Sequence, residues 1–458
     1  MAIRIDFTNM MIPGAITDET WLAAREAFAG ARAEVQRRRA AGELGFMDLA
    51  AGGPSVAEIE TFADGAGQAF SDVVVLGIGG SALGPIALRS ALRSTTWNML
   101  DDEAREYFPR LHVLENVDPT TMSALLDRLE LGRALFIVIS KSGGTAETMA
   151  QYLIVRSRLV DVLGGDFARH FVFVTDPAKG ALRAIARAEN IAALDIPPNV
   201  GGRFSVLSPV GLLPAALIGV DVSALLAGAA NMLARCESEE LAVNPAGVFA
   251  TLQWLADTRL GLRNHVLMPY ADPLRDVSAW FVQLWAESLG KIRPDGQSVG
   301  PTPIAALGTT DQHSQVQLFM EGSRDKTITF VTAGGRPVDI SIPALHADVS
   351  ELAYLGGHTL GELLDAEQRA TATALAQRGR PNMTIALDRA EAHDVGALLM
   401  LLEVATVYAG ALYGINPLDQ PGVELGKRYT YALMGRPDAA DARREWDDLP
   451  APKRQWTV

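Results

Sequence analysis

Short aliphatic runs alternate with longer amphipathic stretches through the first half of the chain. Asp72-Val-Val-Val-Leu-Gly77, Leu111–Glu115, Phe136–Ile139 and Phe171–Thr175 read as strands. Ser81–Leu92, Thr120–Glu130, Thr145 onward to Val162, and Gly180–Glu189 read as the helices that follow them. This alternation predicts a parallel sheet covered on both faces. A second α/β unit starts at Asn264-His-Val-Leu-Met-Pro-Tyr-Ala271 and continues with Thr327–Val331 and Met383–Leu387. The Ala-rich helical stretch between Asp221 and Ala250 bridges the two units. Residues 17–45 read as a charged helix (Trp21, Leu22 and Phe28, then Arg32, Arg37, Arg38 and Arg39), expected to be a peripheral arm. Two stretches are apolar enough to raise the question of a membrane, Val206–Val220 and Val395–Ile415. Pro209 and Pro214 break the first and Glu403 interrupts the second, so both are expected to be buried helices.

One strand-to-helix junction carries unusual chemistry. After Phe136–Ile139 comes Ser140-Lys-Ser-Gly-Gly-Thr-Ala-Glu-Thr148. A strand feeding a helix through small residues aims free backbone N–H groups and the positive helix end at one point. Ser140, Ser142, Thr145 and Thr148 add hydroxyls and Lys141 adds a charge, which suits a phosphate better than an ordinary polar cap would require. An earlier loop, Gly77-Ile-Gly-Gly-Ser-Ala82, satisfies the dinucleotide pattern, with Glu115 ending the next strand. That acid lies well beyond the roughly 20 residues expected of a ribose-binding group. The second hydroxyl-rich loop is also superfluous to a dinucleotide fold. Gly80 and Ser81 are therefore read as a second wall of a phosphate-sugar pocket, with Ser81 at the helix N-terminus.

Four further segments place polar groups at tight turns. Arg203, in Gly201-Gly-Arg-Phe-Ser205, precedes Ser208-Pro209, which reads as a helix N-cap followed by proline. Its guanidinium is either presented inward by the glycines or spent on a surface ion pair. Glu287 lies on the helix Trp280–Gly290, where apolar neighbours such as Trp280 and Leu284 would raise its pKa and suit a general base. A half-exposed pair with Lys291 explains the same residue equally well. His313, in Gly308-Thr-Thr-Asp-Gln-His-Ser-Gln315, is expected in or near the first turn of a helix, where the dipole disfavours imidazolium. A packing role is the alternative. Gln420 and Lys427 flank a helix start near Pro421, and Lys427 could point into a pocket or pair with Glu424.

Composition narrows the classes. The 458 residues suffice for roughly two or three domains. The net charge of −14 argues against nucleic acid or an anionic membrane as partner, so an anionic substrate must be drawn by local cations and dipoles. One cysteine excludes an internal disulfide, and Met1 to Thr17 lacks the pattern of a signal peptide, so a cytoplasmic location is expected. The histidines (112, 170, 265, 313, 346, 358 and 393) have no close metal-binding spacing, and neither a metal nor a cofactor is expected.

Together these segments resemble the signatures of the glucose-6-phosphate isomerase family. They are Gly77-Ile-Gly-Gly-Ser-Ala-Leu-Gly-Pro85, Ser140–Thr148, Gly201–Ser205, Gln283-x-x-x-Glu-Ser-Leu-Gly-Lys291, Gln312-His-Ser-Gln315 and Asp419-Gln-Pro-Gly-Val-Glu-Leu-Gly-Lys427, in the family's order. The resemblance, from about residue 72 to 430, implies two sugar-isomerase (SIS) domains. Each would be a flavodoxin-like three-layer αβα sandwich with a parallel sheet, and helical extensions would stand at both termini. The expected bounds are a helical arm at 1–45, the first SIS domain at 46–220, a helical linker at 221–250, the second SIS domain at 251–430 and a tail at 431–458. It further implies metal-free interconversion of glucose and fructose 6-phosphates. Ser81, Ser140, Ser142, Thr145 and Thr148 would surround the phosphate, with Gly80, Lys141 and Gln283 also at the substrate. Glu287 would shuttle the proton between C1 and C2, and Arg203 would stabilise the cis-enediolate. His313, supplied by a neighbouring subunit of a homodimer, would open the ring with help from Lys427, and Gln420 would orient substrate. The family pattern departs at Gly144, where a threonine is usual and a capping box to Glu147 is expected to be missing. Another SIS-type phosphosugar isomerase, a non-catalytic sugar-phosphate sensor and, more distantly, an NAD dehydrogenase are the competing readings.

Overall fold

Strands without a polar position, such as Val73–Leu76 and Ala134–Ile139, can satisfy their backbone only in the middle of a sheet covered on both faces. The computed structural model describes residues 3–52, 54–451 and 453–457. A short strand, β1 (Ile3–Asp6), leads through the helix Asp18–Ala40 to the first sheet. This sheet contains β2 (Asp72–Leu76), β3 (Arg110–Leu114), β4 (Ala134–Ile139), β5 (Phe171–Thr175) and β6 (Ala192–Asp195). All five are parallel, in the order β3-β2-β4-β5-β6, and every residue of β2 and β4 is buried. The chain reverses its direction of sheet growth between β2 and β4. Such a switch point opens a crevice at the carboxyl ends of those two strands. The loops at Gly77–Ser81 and Ser140–Thr145 flank that crevice.

The second sheet holds β7 (Asn264–Pro269), then, after the small hairpin β8 (Lys291–Ile292) and β9 (Ser298–Val299), β10 (Thr302–Ala305), β11 (Lys326–Gly335) and β12 (Asn382–Arg389). Its order is β1-β12-β11-β7-β10. Four strands run parallel, and β1 closes the edge antiparallel to β12 with Ile3 opposite Leu387. The fold is the α/β architecture the alternation predicts, with parallel sheets and this one antiparallel edge.

The N-terminal region is not the peripheral arm expected of it. Besides β1, its helix buries Trp21, Ala24, Phe28, Ala31 and Val35, a three-four spacing along one face, and packs on the helix Ala392–Tyr413. The expected helix at Thr120–Glu130 is shorter, Pro119–Leu126, capped by the Asp118 side chain on the N–H of Thr121. The two apolar stretches do become core helices, Pro209–Leu217 and Ala392–Tyr413. Among the described residues the latter alone is long and apolar enough to cross a membrane, and 89% of its apolar window is buried. It crosses Val222–Cys236 closely enough that a Cβ at Gly396 would collide with the Leu225 carbonyl, and one at Gly228 with that of His393. Within it Glu403 is fully buried, both carboxyl oxygens lack a hydrogen-bond partner among the described residues, and burial raises its pKa well above the usual carboxylate range.

Candidate active site

The crevice above β2 and β4 is lined by uncapped helix ends. The helix Ala146–Leu163 starts after Thr145, whose side chain does not cap it. Its hydroxyl instead faces Ser140 Oγ at 2.9 Å and Ser142 Oγ at 3.4 Å. The N-cap is thus Thr145 and not residue 144, so the capping box considered for Gly144 and Glu147 has no place in this geometry. Ser142 Oγ accepts the Gly144 N–H, and Thr175 Oγ1 donates to the Ser140 carbonyl at 2.7 Å, which pins the loop to the end of β5. One helical turn on, Thr148 Oγ1 is buried without a hydrogen-bond partner among the described residues. An orphaned hydroxyl beside free helical N–H groups is the condition an oxyanion would relieve.

Lys141 is placed differently from the charge the loop suggested. Its ammonium donates to the carbonyls of Pro198 at 2.7 Å and Val200 at 2.8 Å, and burial pushes its pKa down. It braces the turn leading to Gly201–Ser205. The second loop meets that same turn. Gly79, at φ +56°, precedes the helix Gly80–Leu92, and a Cβ on Gly80 would collide with the Gly202 carbonyl. Ser81, in the first turn of that helix, is half-buried. Glycine is required here because two backbones touch.

Arg203 is buried, not the surface residue of the alternative reading. It donates through Nε to Ser288 Oγ at 2.6 Å, through Nη1 to Gln420 Oε1 at 3.0 Å, and through Nη2 to the carbonyls of Pro417 and Asp419. Nη1 also stands 3.3 Å from Glu287 Oε1. Burial pushes the pKa of Arg203 down, and Glu287 and Asp419 oppose the shift, so the guanidinium stays charged.

Glu287 projects from the helix Arg275–Leu289, which buries Trp280, Leu284 and Trp285 on its other side. Its carboxylate is one-quarter exposed and has a polar partner on each oxygen. Arg203 faces one oxygen, and Gln283 Nε2 donates to the other at 3.1 Å. The pair with Lys291 is also not the expected one, because that ammonium bonds the backbone carbonyls of Glu287 and Ser288. Gln283 Oε1 is buried without a hydrogen-bond partner among the described residues, leaving an acceptor for a ligand hydroxyl. Glu287, Gln283, Lys291, Asp419 and Gln420 line a cavity of about 1420 Å³. Ser140, Ser142, Thr145 and Thr148 are not on its walls, whereas Gln283 packs against Gly79, where a Cβ would come within 2.9 Å of its Nε2.

Two expected residues stay away from Glu287. His313 ends the short turn Thr310–His313, ahead of the helix Val316–Glu321, so the helix-dipole argument made for it does not hold. It is exposed and has no hydrogen-bond partner among the described residues. Its turn follows β10, at the carboxyl end of the second sheet. Glu287 lies near the far end of the helix after β7, which runs back along β10 toward the amino ends of those strands. That helix has 15 residues, so the two are separated by roughly 20 Å within one chain. Lys427, on the helix Glu424–Leu433, is exposed and paired with Glu424 at 3.0 Å. Ser288 and Lys291 were not singled out as site residues. Their place in the segment Gln283–Lys291 was the only signal for them.

Comparison with known proteins identifies the family. The phosphoglucose isomerase family model matches residues 58–449. Glucose-6-phosphate isomerase of Rubrobacter xylanophilus is 53% identical over 80% of this chain and 83% of its own length. That of Carboxydothermus hydrogenoformans is 45% identical over 97% of both chains. Among solved structures, a hypothetical protein from Thermus thermophilus superposes with a TM-score of 0.85 at 38% identity, covering 94% of this chain and all of the other. A Chlamydia trachomatis glucose-6-phosphate isomerase shares the fold at a TM-score of 0.78 and 22% identity, over 98% of this chain and 92% of its own. With nearly the whole chain matched at up to 53% identity, this protein belongs to the phosphoglucose isomerase family.

Proposed function

We infer that the chain interconverts D-glucose 6-phosphate and D-fructose 6-phosphate, the aldose–ketose step of glycolysis and gluconeogenesis. The observation that carries the mechanism is the Glu287 carboxylate held between Arg203 at 3.3 Å and Gln283 at 3.1 Å on the wall of a cavity. A proton beside a carbonyl is removed most readily by a positioned carboxylate facing a cation that meets the developing oxyanion. In this reading Glu287 takes the C2 proton of the open-chain aldose and returns it to C1. The hydroxyl proton moves from O2 to O1, and Arg203 offsets the charge of the cis-enediolate between the two transfers. The phosphate rests on Ser81, Ser140, Ser142, Thr145 and Thr148. Gln420, held by Arg203, and the free oxygen of Gln283 orient the hydroxyls.

Ring opening falls to His313 with Lys427. Because His313 stands at the carboxyl end of the second sheet's strands and Glu287 toward their amino end, a shared site in a homodimer accounts for both residues. The two SIS units are assigned to 46–220 and 251–430, and the location to the cytoplasm. The test is conversion of fructose 6-phosphate to glucose 6-phosphate, coupled to an NADP-linked dehydrogenase, for the wild type and Glu287→Gln. Loss of at least about 100-fold in kcat with little change in KM is expected. A variant that turns over like the wild type removes Glu287 from the role of base.

A further inference from the structure

Lys291 has no part in the chemistry above, yet its ammonium is buried beside the base. A helix ends with carbonyls that lack intrahelical partners. In the helix Arg275–Leu289 the Ala286 carbonyl accepts the Gly290 N–H at 2.9 Å, while those of Glu287 and Ser288 would be left open. Lys291 Nζ donates to both, at 2.6 and 3.0 Å. The lysine can fold back because its own backbone is pinned in the β8–β9 hairpin, opposite Val299. The same ammonium lies 3.9 Å from the Asp419 carboxylate. Asp419 precedes Gln420, and its carbonyl accepts from Arg203. One side chain therefore touches the turn that carries Glu287 and the loop that carries Gln420.

We propose that Lys291 is a positioning residue for the isomerisation, locking the last turn of the Glu287 helix against the 416–420 loop so that base and guanidinium keep their spacing. This rests on Glu287 being the base. An exposed lysine would cap the helix at less desolvation cost. This one is 7% exposed, and a second cation, Arg203, stands nearby. Burial and Arg203 push its pKa down, and Asp419 and Glu287 push it back up, so the ammonium and the Glu287 carboxylate interact electrostatically as well as through the tether. The other charged groups on the same cavity are Glu34 and Arg38 from the helix Asp18–Ala40 and Arg293 from the hairpin.

The full chain is compared as wild type, Lys291→Met and Glu287→Gln, with kcat and KM for fructose 6-phosphate followed across pH. Methionine keeps the bulk and removes both donors and charge. The expected result is a kcat about 10- to 100-fold lower with KM within about threefold, because a misplaced base costs rate more than binding. The acid limb of kcat/KM should also move to higher pH, since a cation beside the base is gone. A plain capping lysine would lower thermal stability and leave the pH profile unmoved. A folded Lys291→Met with kcat within about threefold and an unmoved acid limb overturns the proposal. Should Lys291→Met not fold, Lys291→Gln, which keeps a donor and drops the charge, is read by the same two criteria. If Glu287→Gln is inactive while Lys291→Met resembles wild type, only the positioning role fails. Wild-type turnover in Glu287→Gln fails the base assignment itself.

Discussion

Replacing Thr148 by valine separates what the phosphate loop does for the ligand from what it does for the fold. The Thr148 hydroxyl is buried on the first turn of the helix Ala146–Leu163 and makes no hydrogen bond in the free protein. Burying a hydroxyl without a partner costs about 1–3 kcal/mol. Valine has nearly the same shape and carries no such penalty, so Thr148→Val should unfold at a higher temperature. For a chain of this length the gain corresponds to a rise of about 1–3 °C in Tm. The bound phosphate would instead lose a charge-assisted hydrogen bond worth about 1.5–3 kcal/mol. That is a rise of roughly 10- to 150-fold in KM for fructose 6-phosphate, with kcat much less affected. Differential scanning calorimetry and the coupled assay on one preparation give both numbers. The opposite signs are the point. A variant that loses stability and keeps its KM would mean that Thr148 has a partner in the protein and does not face the phosphate.

Two further outcomes follow from single positions. A Cβ at Gly144 meets nothing within 4 Å, and the residue is outside the left-handed region, so Gly144→Thr should fold normally. It should leave kcat similar and lower KM by adding a hydroxyl to the phosphate loop; a raised KM counts against this. Glu403 is neutral in the fold, its pKa raised by burial from the ordinary 4.5. A raised folded-state pKa means stability that is fully present below about pH 4.5 and declines as pH climbs toward the folded value, by about 1.4 kcal/mol per pH unit. Glu403→Gln removes that slope, so its urea midpoint should gain on the wild type between pH 5 and pH 7. Parallel behaviour of the two proteins would show that folding does not raise the Glu403 pKa.

How much of this was legible beforehand depends on whether the signal was local. The long apolar strands β2, β4 and β5 announced themselves because a strand buried on both faces must be continuously apolar. The edge strands β1, β6 and β10 did not. Ile3–Asp6 alternates apolar with charged residues, Ala192–Asp195 is half-exposed, and Thr302–Ala305 contains Pro303. Each becomes a strand because a neighbour offers it hydrogen bonds. The N-terminal helix reads as charged because its apolar face is a narrow stripe, covered mainly by Ala392–Tyr413, far along the chain.

The candidate site divides the same way. The sequence by itself determined the strand-to-helix turns rich in glycine and hydroxyls, the N-cap at Ser208-Pro209, the helix that carries Glu287 and Gln283, and the order of the segments that mark the family. These are properties of a few consecutive residues, governed by backbone freedom, capping and periodicity. Tertiary structure alone decided that Arg203 is buried against Glu287 and Gln420, that Lys141 and Lys291 turn to backbone carbonyls, and that Thr148 is left without a partner. It also put His313 at the carboxyl end of the second sheet's strands and Glu287 toward their amino end. Such contacts join residues far apart in the chain. They depend on which helix faces pack when two sheets dock, and no local pattern of hydrophobic and polar positions encodes that docking.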